Sequence, residues 1–573
     1  MARQAALSQP TFPGMSDVEA AIEELSGADT EARGAIFTKP DVVHFILDLV
    51  GYKSSKPLHS LRMLEPSFGH GSFLLLIVDR LIESWRAFGS GDPSQLNDSL
   101  RAVELHTESF HVTRRKLVQK LRDADFSSTE AESLLEKWLI NGDFLLEPFE
   151  GQFDFVAGNP PYLRIERVPA PLMREYRQRY PTMYDRADIY IPFIERSLDL
   201  LSDEGRLGFI CADRWTKNRY GGPLREKVAK DFHIESFVDM SNTQAFESEV
   251  IAYPAITVIR RGSAGVTAIA SDPAINRDSL STLAGSLGST SNAPADSIIR
   301  IDGLAKGKSP WIVTGCDSTR LLRDIEEKFA LIEEVGCKVG IGVATGADRV
   351  FIAPYQSLAV EEDRKLPLAT TKDIASGKVE WSGLGVVNPF AENGKLVDLG
   401  QYPGLAAYLD EHKEQLCGRH VAKKYPANWY RTIDRIHPAL TTTPKLLIPD
   451  IKGGANIVAE KGELYPHHNL YYVTAGDWSI DALRAVLLSG IAHLFVSSYS
   501  TKMRGGYFRF QAQNLRRICL PSWASLEASV RASLQDAAER DDTDSCFELT
   551  CQIYQLSNKQ RTVLRGHVAE VIA

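Results

Sequence analysis

Asn159-Pro160-Pro161-Tyr162 sets an amide, two prolyl carbonyls and a phenol side by side, directly after the run Phe153-Asp154-Phe155-Val156-Ala157-Gly158. The run reads as a short buried strand, and two prolines without N–H groups stop it. The Pro160 carbonyl and the Asn159 amide are then free to face a ligand beyond the strand's carboxyl end, where ligands of open α/β sheets bind. Asn-Pro is also a common turn dipeptide, so the upstream residues decide between a site and a plain turn.

Those residues repeat one pattern. Leu61-Arg62-Met63-Leu64-Glu65-Pro66-Ser67-Phe68-Gly69-His70-Gly71 is a strand ending in an acidic residue, then a Gly-x-Gly turn, then an apolar helix from Ser72 to about Trp85. Gly69 and Gly71 allow the backbone close to a ligand. The third glycine of a dinucleotide fingerprint is missing, and the Glu65 carboxylate suits the ammonium of S-adenosylmethionine better than a pyrophosphate. Leu100 to Leu105 predicts a second strand. Its Glu104 would accept ribose hydroxyls, further along than usual because the polar loop Gly89 to Ser94 is long. In Asn141-Gly142-Asp143-Phe144, Asp143 offers an acceptor for an adenine amino group, with Phe144 against the ring. Thr38-Lys39-Pro40 opens a helix through Leu47, with Thr38 as the expected N-cap and Pro40 in the first turn. Ser16 to Glu19 predicts a capping box and a helix to Leu25.

The rest of the chain sets the context for these pieces. Its 573 residues allow two or three domains, and 44% hydrophobic with 24% charged residues describe a globular protein. No run of about 18 apolar residues predicts a membrane span, and the first 15 residues lack a signal-peptide core. Seven scattered cysteines without C-x-x-C point to a reducing cytoplasm and away from structural zinc. A net charge of −9 leaves nucleic-acid binding to local basic patches.

With these motifs in this order, residues 34–262 resemble a gamma-arranged, TaqI-type, S-adenosylmethionine-dependent N6-adenine DNA methyltransferase of a restriction-modification system. Ala187-Asp188-Ile189-Tyr190, the strand Gly205 to Ile210, Asp213-Arg214-Trp215, Tyr220-Gly221, Phe246 and the strand Ala255 to Ile259 also match it. Lys39, inserted between Thr38 and Pro40, departs from the commonest form.

The resemblance implies an α/β fold: a class I methyltransferase (Rossmann-like) sheet with helices on both faces, then a mixed α+β target-recognition domain and a helical C-terminal tail. The expected boundaries are an N-terminal helical arm at 1–30, the methyltransferase domain at 31–262, a linker at 263–300, the recognition domain at 301–523 and the tail at 524–573. It implies Thr38, Glu65, Pro66, Gly69, Gly71, Glu104, Asp143 and Phe144 as binders of S-adenosyl-L-methionine. Asn159, Pro160, Pro161 and Tyr162 would be catalytic, and Tyr162 and Phe246 would hold the target base. Adenine's amino nitrogen is a poor nucleophile because its lone pair is delocalised. The Asn159 oxygen and the Pro160 carbonyl would accept both its hydrogens once the base is flipped out of the duplex. No Pro-Cys nucleophile stands between Gly151 and Ile210, and no metal is required. Double-stranded DNA is the implied partner, with a separate cognate endonuclease or defence-system subunits, a cytoplasmic location and no membrane. Two other functions share these motifs: an NPPY-type methyltransferase acting on RNA or protein glutamine, and a catalytically decayed DNA-specificity subunit.

Beyond the Ser/Gly/Asp-rich stretch 262–297, Lys338 to Phe351 predicts hairpin turns. Two segments mix cations with aromatics and glycines. Lys413 to Arg435 holds Arg419, Lys423, Lys424 and Arg431 among Tyr425, Trp429 and Tyr430. Thr501 to Arg517 holds Lys502, Arg504, Arg509, Arg516 and Arg517 without an acidic residue. Both are candidate DNA contacts. Pro449-Asp450 with Glu460-Lys461 lacks nuclease spacing, so Lys445 to Ile451 reads as a structural strand. His467-His468 reads as a loop pair.

Overall fold

The computed structural model describes residues 16–27, 36–248, 253–289, 298–313, 316–450, 457–500 and 508–572. The chain divides into two units, Met1–Ile312 and Val313–Ala573.

The first unit is built on nine strands: β1 (Met63–Glu65), β2 (Leu100–Glu104), β3 (Leu139–Asn141), β4 (Phe153–Gly158), β5 (Leu201–Ala212), β6 (Phe232–Asp239), β7 (Pro254–Arg261), β8 (Val266–Ser271) and β9 (Ile299–Asp302). Their order is β3-β2-β1-β4-β5-β7-β6-β8-β9. Pairs from β3 to β5 are parallel, and β7 runs antiparallel to β5 and β6. This is the expected class I methyltransferase sheet with helices on both faces. Strand direction fixes where chemistry can occur. Glu65 pairs with Ala102 and Glu104 with Asn141, so β1, β2 and β3 end on one edge of the sheet. The order reverses between β1 and β4, and ligands of such sheets sit at that crevice.

The helix Pro40–Val50 shows how packing holds that edge. Pro40 opens it, left-handed Gly51 (φ 82°) closes it, and Val42, Val43, Phe45, Ile46, Leu47 and Val50 are all fully buried. Each such side chain contributes about 1.5–3 kcal/mol. The helix lies so close over β5 that a Cβ on Gly208 would stand 2.4 Å from Val50. Its N-cap is Lys39, not Thr38. Thr38 is instead held in an extended bridge to Phe246, and its hydroxyl accepts from Asn159 Nδ2 (3.3 Å).

The expected linker 263–300 is also corrected. β8 pairs parallel with β6 and β9 antiparallel with β8, so the segment widens the sheet. The helix Arg277–Gly288 between them buries Leu280 and Leu287. Small residues obscured a strand whose Ala268, Ile269 and Ala270 are buried.

The second unit is mixed α+β. One four-stranded sheet runs Lys338–Ile341, Leu470–Thr474, Lys445–Pro449, Val458–Glu460, and another runs Ile352–Pro354, Leu384–Val387, Lys365–Ala369, Tyr465–Pro466. Helices Ala528–Glu539, Thr543–Ile553 and Asn558–Ile572 form the tail. The expected hairpin at 338–351 does not form. Lys338–Ile341 pairs with Leu470–Thr474, and a short helix, Asp348–Phe351, leads into the other sheet. The Thr345 hydroxyl starts that helix by accepting the Ala347 N–H (3.0 Å) and donating to Asp348 (2.5 Å). The stretch Ile480–Tyr499 is long and apolar enough to cross a membrane by length and composition, unlike the expectation. Of its apolar window, 67% is buried inside this unit, as in a core helix.

Candidate active site

A cleft opens at the β1/β4 crevice, where ligands of such sheets bind. Its wall contains Thr38, Glu65, Pro66, Gly69, Glu104, Asp143, Phe144, Asn159, Pro160 and Pro161, which the sequence scatters over more than a hundred positions. Gly71 stands apart from it. With φ at 89°, and with Thr113 2.9 Å from where a Cβ would sit, Gly71 seats the turn on the helix Thr107–Asp123.

Three carboxyls face the cleft in different states. Glu104 accepts N–H bonds from Gly69 (2.7 Å) and His106 (2.8 Å), which ties the turn after β1 to the end of β2. Asp143 accepts from the Leu145 N–H (2.9 Å) and the Tyr176 hydroxyl (2.5 Å), and burial raises its pKa. Glu65 is 1% exposed, and its Oε2 has no partner among the described residues. Burial, and then the Glu104 charge, hold its carboxyl well above the usual range.

That state has a stability consequence. A carboxyl whose folded pKa is raised binds a proton that the unfolded chain has released. Stability therefore falls as pH rises above the ordinary carboxylate range. Glu65→Gln is expected to raise Tm at neutral pH by a few degrees, roughly, and to leave it unchanged in acid. Calorimetry at two pH values checks this; a Tm gain of equal size in acid would mean the gain does not come from ionisation.

Asn159 is oriented by its own amide. Its Nδ2 donates to the Ile36 carbonyl (3.0 Å) and to Thr38 Oγ1 (3.3 Å); the carbonyl can only accept, so it requires the NH₂ end. The other end, Oδ1, is buried with no partner among the described residues. Segment 37–39 is held in turn by Lys39 N–H to the Ala245 carbonyl (3.0 Å) and Glu247 N–H to the Phe37 carbonyl (3.0 Å). Phe246 and Tyr162 meet edge to face beside this contact, 6.3 Å between centroids, outside the cleft wall. Among the described residues the Tyr162 hydroxyl is buried without a partner, as is Asp213 Oδ1, and burial pushes Asp213 up to about 6.

Sequence reasoning missed several wall residues. Leu25, Phe37, Phe68, Phe73, Tyr176 and Phe193 line the cleft. Phe37 stacks on His70 at 4.6 Å. Phe68 lies within the Gly-x-Gly motif, yet nothing in the motif assigned it a contact; the others stand outside any motif that assigned a role. Tyr176 lies 33 residues after Asp143, on the helix Ala170–Arg179, and reaches the site only through folding.

The candidate DNA-binding cations fall into two groups. Lys423 and Lys424 are exposed, and Lys424 and Arg431 lie 5.5 and 5.3 Å from the Tyr425 ring. Arg419 is structural, donating to the carbonyls of Leu416, Thr345 and Trp429. Arg509 is ion-paired with Asp450, Arg516 with Glu333 (3.2 Å), and Arg517 lies over Tyr499 (4.8 Å). The expectation of an uncompensated arginine run is therefore corrected for these three: acids distant in sequence neutralise two of them. Lys502 and Arg504 lie outside the described residues.

The strand order and the carboxyl-lined cleft at β1/β4 define a class I methyltransferase. The Eco57I restriction-modification methylase family matches residues 86–246. The type II methyltransferase M.PaeR7I of Pseudomonas aeruginosa is 56% identical over 564 residues, 98% of both chains. M.XhoI of Xanthomonas vasicola, also a type II methyltransferase, is 50% identical over 542 residues, 93% of this chain and 99% of the relative. The solved structure of the type IIL restriction-modification enzyme MmeI in complex with DNA shares the fold, with a TM-score of 0.55 at 11% identity. It covers 93% of this chain and 76% of that one. The chain belongs to the type II restriction-modification methyltransferases.

Proposed function

We propose that this chain methylates the N6 amino group of adenine within a specific duplex DNA sequence, with S-adenosyl-L-methionine as methyl donor. The observation that carries this reading is the Asn159 amide. Its NH₂ end is spent on Ile36 and Thr38, so its buried oxygen stands as a bare acceptor beside the Pro160 carbonyl, at the wall of a carboxyl-lined cleft.

The cleft fits the donor. Glu65, buried and unpartnered, suits a cationic group such as the amino-acid ammonium. Asp143 keeps a lone pair per oxygen after its internal bonds, for an adenine amino group, and Glu104 stands at the end of β2 in the cleft wall, where a ribose hydroxyl would lie. Phe144 and Phe68 supply apolar wall. Bound there, S-adenosylmethionine supplies a sulfonium-activated methyl group. Asn159 Oδ1 and the Pro160 carbonyl accept the two amino hydrogens of the target base, which disfavours delocalisation of the nitrogen lone pair into the ring and aims that pair at an electrophile. Both acceptors are fixed before substrate arrives, so little reorganisation is needed at reaction. Tyr162 and Phe246 supply aromatic faces for a flipped base.

Incubating the protein with S-adenosylmethionine and duplex DNA, then digesting to nucleosides, is expected to yield N6-methyladenine at one sequence context. Methylcytosine alone, or transfer to RNA or protein instead, would overturn the reading. The same material tests the binding surface. Replacing Lys423, Lys424 and Arg431 with alanine is expected to weaken binding to cognate and non-cognate duplex alike, and to flatten the salt slope by about 0.9 per lost phosphate contact. Arg509→Ala should instead lower stability, because it strands Asp450. An unaltered salt slope in the triple variant would mark those cations as a solvated face.

A further inference from the structure

Outside the cleft, one cluster of metal-ligating side chains in the second unit has no role in the chemistry above. His467 and His468 follow the strand Tyr465–Pro466, and Asp348 begins the helix Asp348–Phe351. One ring nitrogen from each histidine and a carboxylate oxygen of Asp348 all lie within 4.8 Å of one another. We infer that Asp348, His467 and His468 form a binding site for one divalent transition-metal ion, zinc by its donor chemistry.

Three features of the geometry carry this. First, His467 Nε2 stands 3.4 Å from Asp348 Oδ2. A direct charge-assisted N–H···O bond closes to about 2.7–2.9 Å. Two ligands of one tetrahedral ion, each about 2.0–2.1 Å from it, stand about 3.3–3.4 Å apart. The pair is long for a bond and right for a shared ion. Second, Nδ1 of both histidines is buried with no hydrogen-bond partner among the described residues. Buried imidazole nitrogens rarely go unpaired; each neutral ring has one lone pair, which among the described residues no donor claims, and in His467 it belongs to Nε2, the atom that faces Asp348. Third, the ligands are held from outside. The Thr345 hydroxyl donates to the other oxygen of Asp348 at 2.5 Å, the kind of outer support that orients a metal-binding carboxylate. The His467 N–H bonds the Ala369 carbonyl (2.9 Å) and the His468 N–H bonds the Val343 carbonyl (3.1 Å), which fixes both backbones. Two imidazoles and one carboxylate suit zinc and leave a fourth position for water.

The ion would tie the 343–348 loop to the strand end at 465–468. That loop also braces the basic–aromatic segment: the Thr345 carbonyl accepts from Arg419 (3.0 Å) and the Ile433 N–H (3.3 Å), and Asp434 accepts the Ala344 N–H (3.0 Å). A metal here would stiffen the base of the surface that carries Lys423, Lys424 and Arg431. None of this depends on the adenine chemistry.

The test uses the full chain, stripped with EDTA and titrated with zinc chloride by calorimetry, with cobalt(II) absorption as a second readout. One ion per chain is expected, with a tetrahedral cobalt spectrum and a zinc-dependent rise in Tm. His468→Ala keeps the Asp348–His467 pair yet removes a ligand, so its zinc affinity should fall by more than the ~10–100-fold that loss of an outer partner costs. Asp348→Asn should do the same while keeping the side-chain shape at the start of the helix. The two variants matching the parent's Tm in EDTA would show intact folds; if His468→Ala does not, Asp348→Asn alone decides. Absence of stoichiometric zinc binding overturns the site, as does affinity undiminished in the folded variant.

Discussion

Asn159→Ala is expected to lose methyl transfer by at least ~10²–10³-fold while S-adenosylmethionine affinity is kept. The substitution removes the only side-chain acceptor that the amide orientation leaves free. It also leaves the Ile36 carbonyl and the buried Thr38 hydroxyl without this donor. The carboxyls assigned to the donor, Glu65, Glu104 and Asp143, have no bond to Asn159 and keep their places. Asn159→Asp offers a sharper contrast. It restores an acceptor but turns a second oxygen towards the Ile36 carbonyl, where an N–H stood, so that contact becomes repulsive even though the Thr38 hydroxyl can turn to donate. Single-turnover transfer of a labelled methyl group, paired with calorimetric cofactor binding, separates the two effects. Near-parental transfer by Asn159→Ala would remove the amide from the chemistry, and joint loss of transfer and cofactor binding would make its role structural.

Glu460→Ala is expected to be the most destabilising polar substitution in the second unit, by about 3–5 kcal/mol. Lys445 is completely buried and ion-paired with Glu460, which is 1% exposed. The same carboxylate accepts N–H bonds from Gly462 (3.0 Å), Glu463 (2.5 Å) and Leu464 (3.1 Å). Its loss leaves a buried ammonium and three N–H groups without their acceptor, against which the Thr443 and Thr441 carbonyls remain for Lys445 (2.9 and 3.4 Å). Lys445→Met should cost less, because the carboxylate keeps its three backbone donors. The expected fall in Tm for Glu460→Ala is on the order of 10 °C. A smaller fall than that of Lys445→Met would show that the turn, and not the carboxylate, holds this corner together.

That ion pair also shows where a sequence misleads. Asp450 with Glu460 and Lys461 has the residue types of a nuclease set without its spacing, and both acids are spent structurally: Glu460 on the buried Lys445 and Asp450 on Arg509. Charge runs behave the same way. Arg509 and Arg516 look uncompensated in one dimension because their acidic partners, Asp450 and Glu333, are far away in the chain.

Local order determined much of the rest. Strands that end in Glu65, Glu104, Asn141 and Gly158 each interrupt an apolar run with a polar or small residue, and a parallel sheet must bring such ends to one edge. Spacing and periodicity therefore made the strand ends and their placement at one edge legible, and the class of sheet followed from the family resemblance that those motifs carry. Only the tertiary structure decided which end of the Asn159 amide is free, since that depends on Ile36 and Thr38, some 120 residues earlier. It alone left Glu65 without a partner and gave Asp143 the Tyr176 hydroxyl. It made a strand of the small-residue segment 266–271, because sheet pairing supplies what side-chain hydrophobicity does not. And it brought Asp348 to His467 across 119 positions. Periodicity records which face a residue presents; it carries no information on which distant residue meets that face, and hydrogen bonds, ionisation and coordination depend on that meeting.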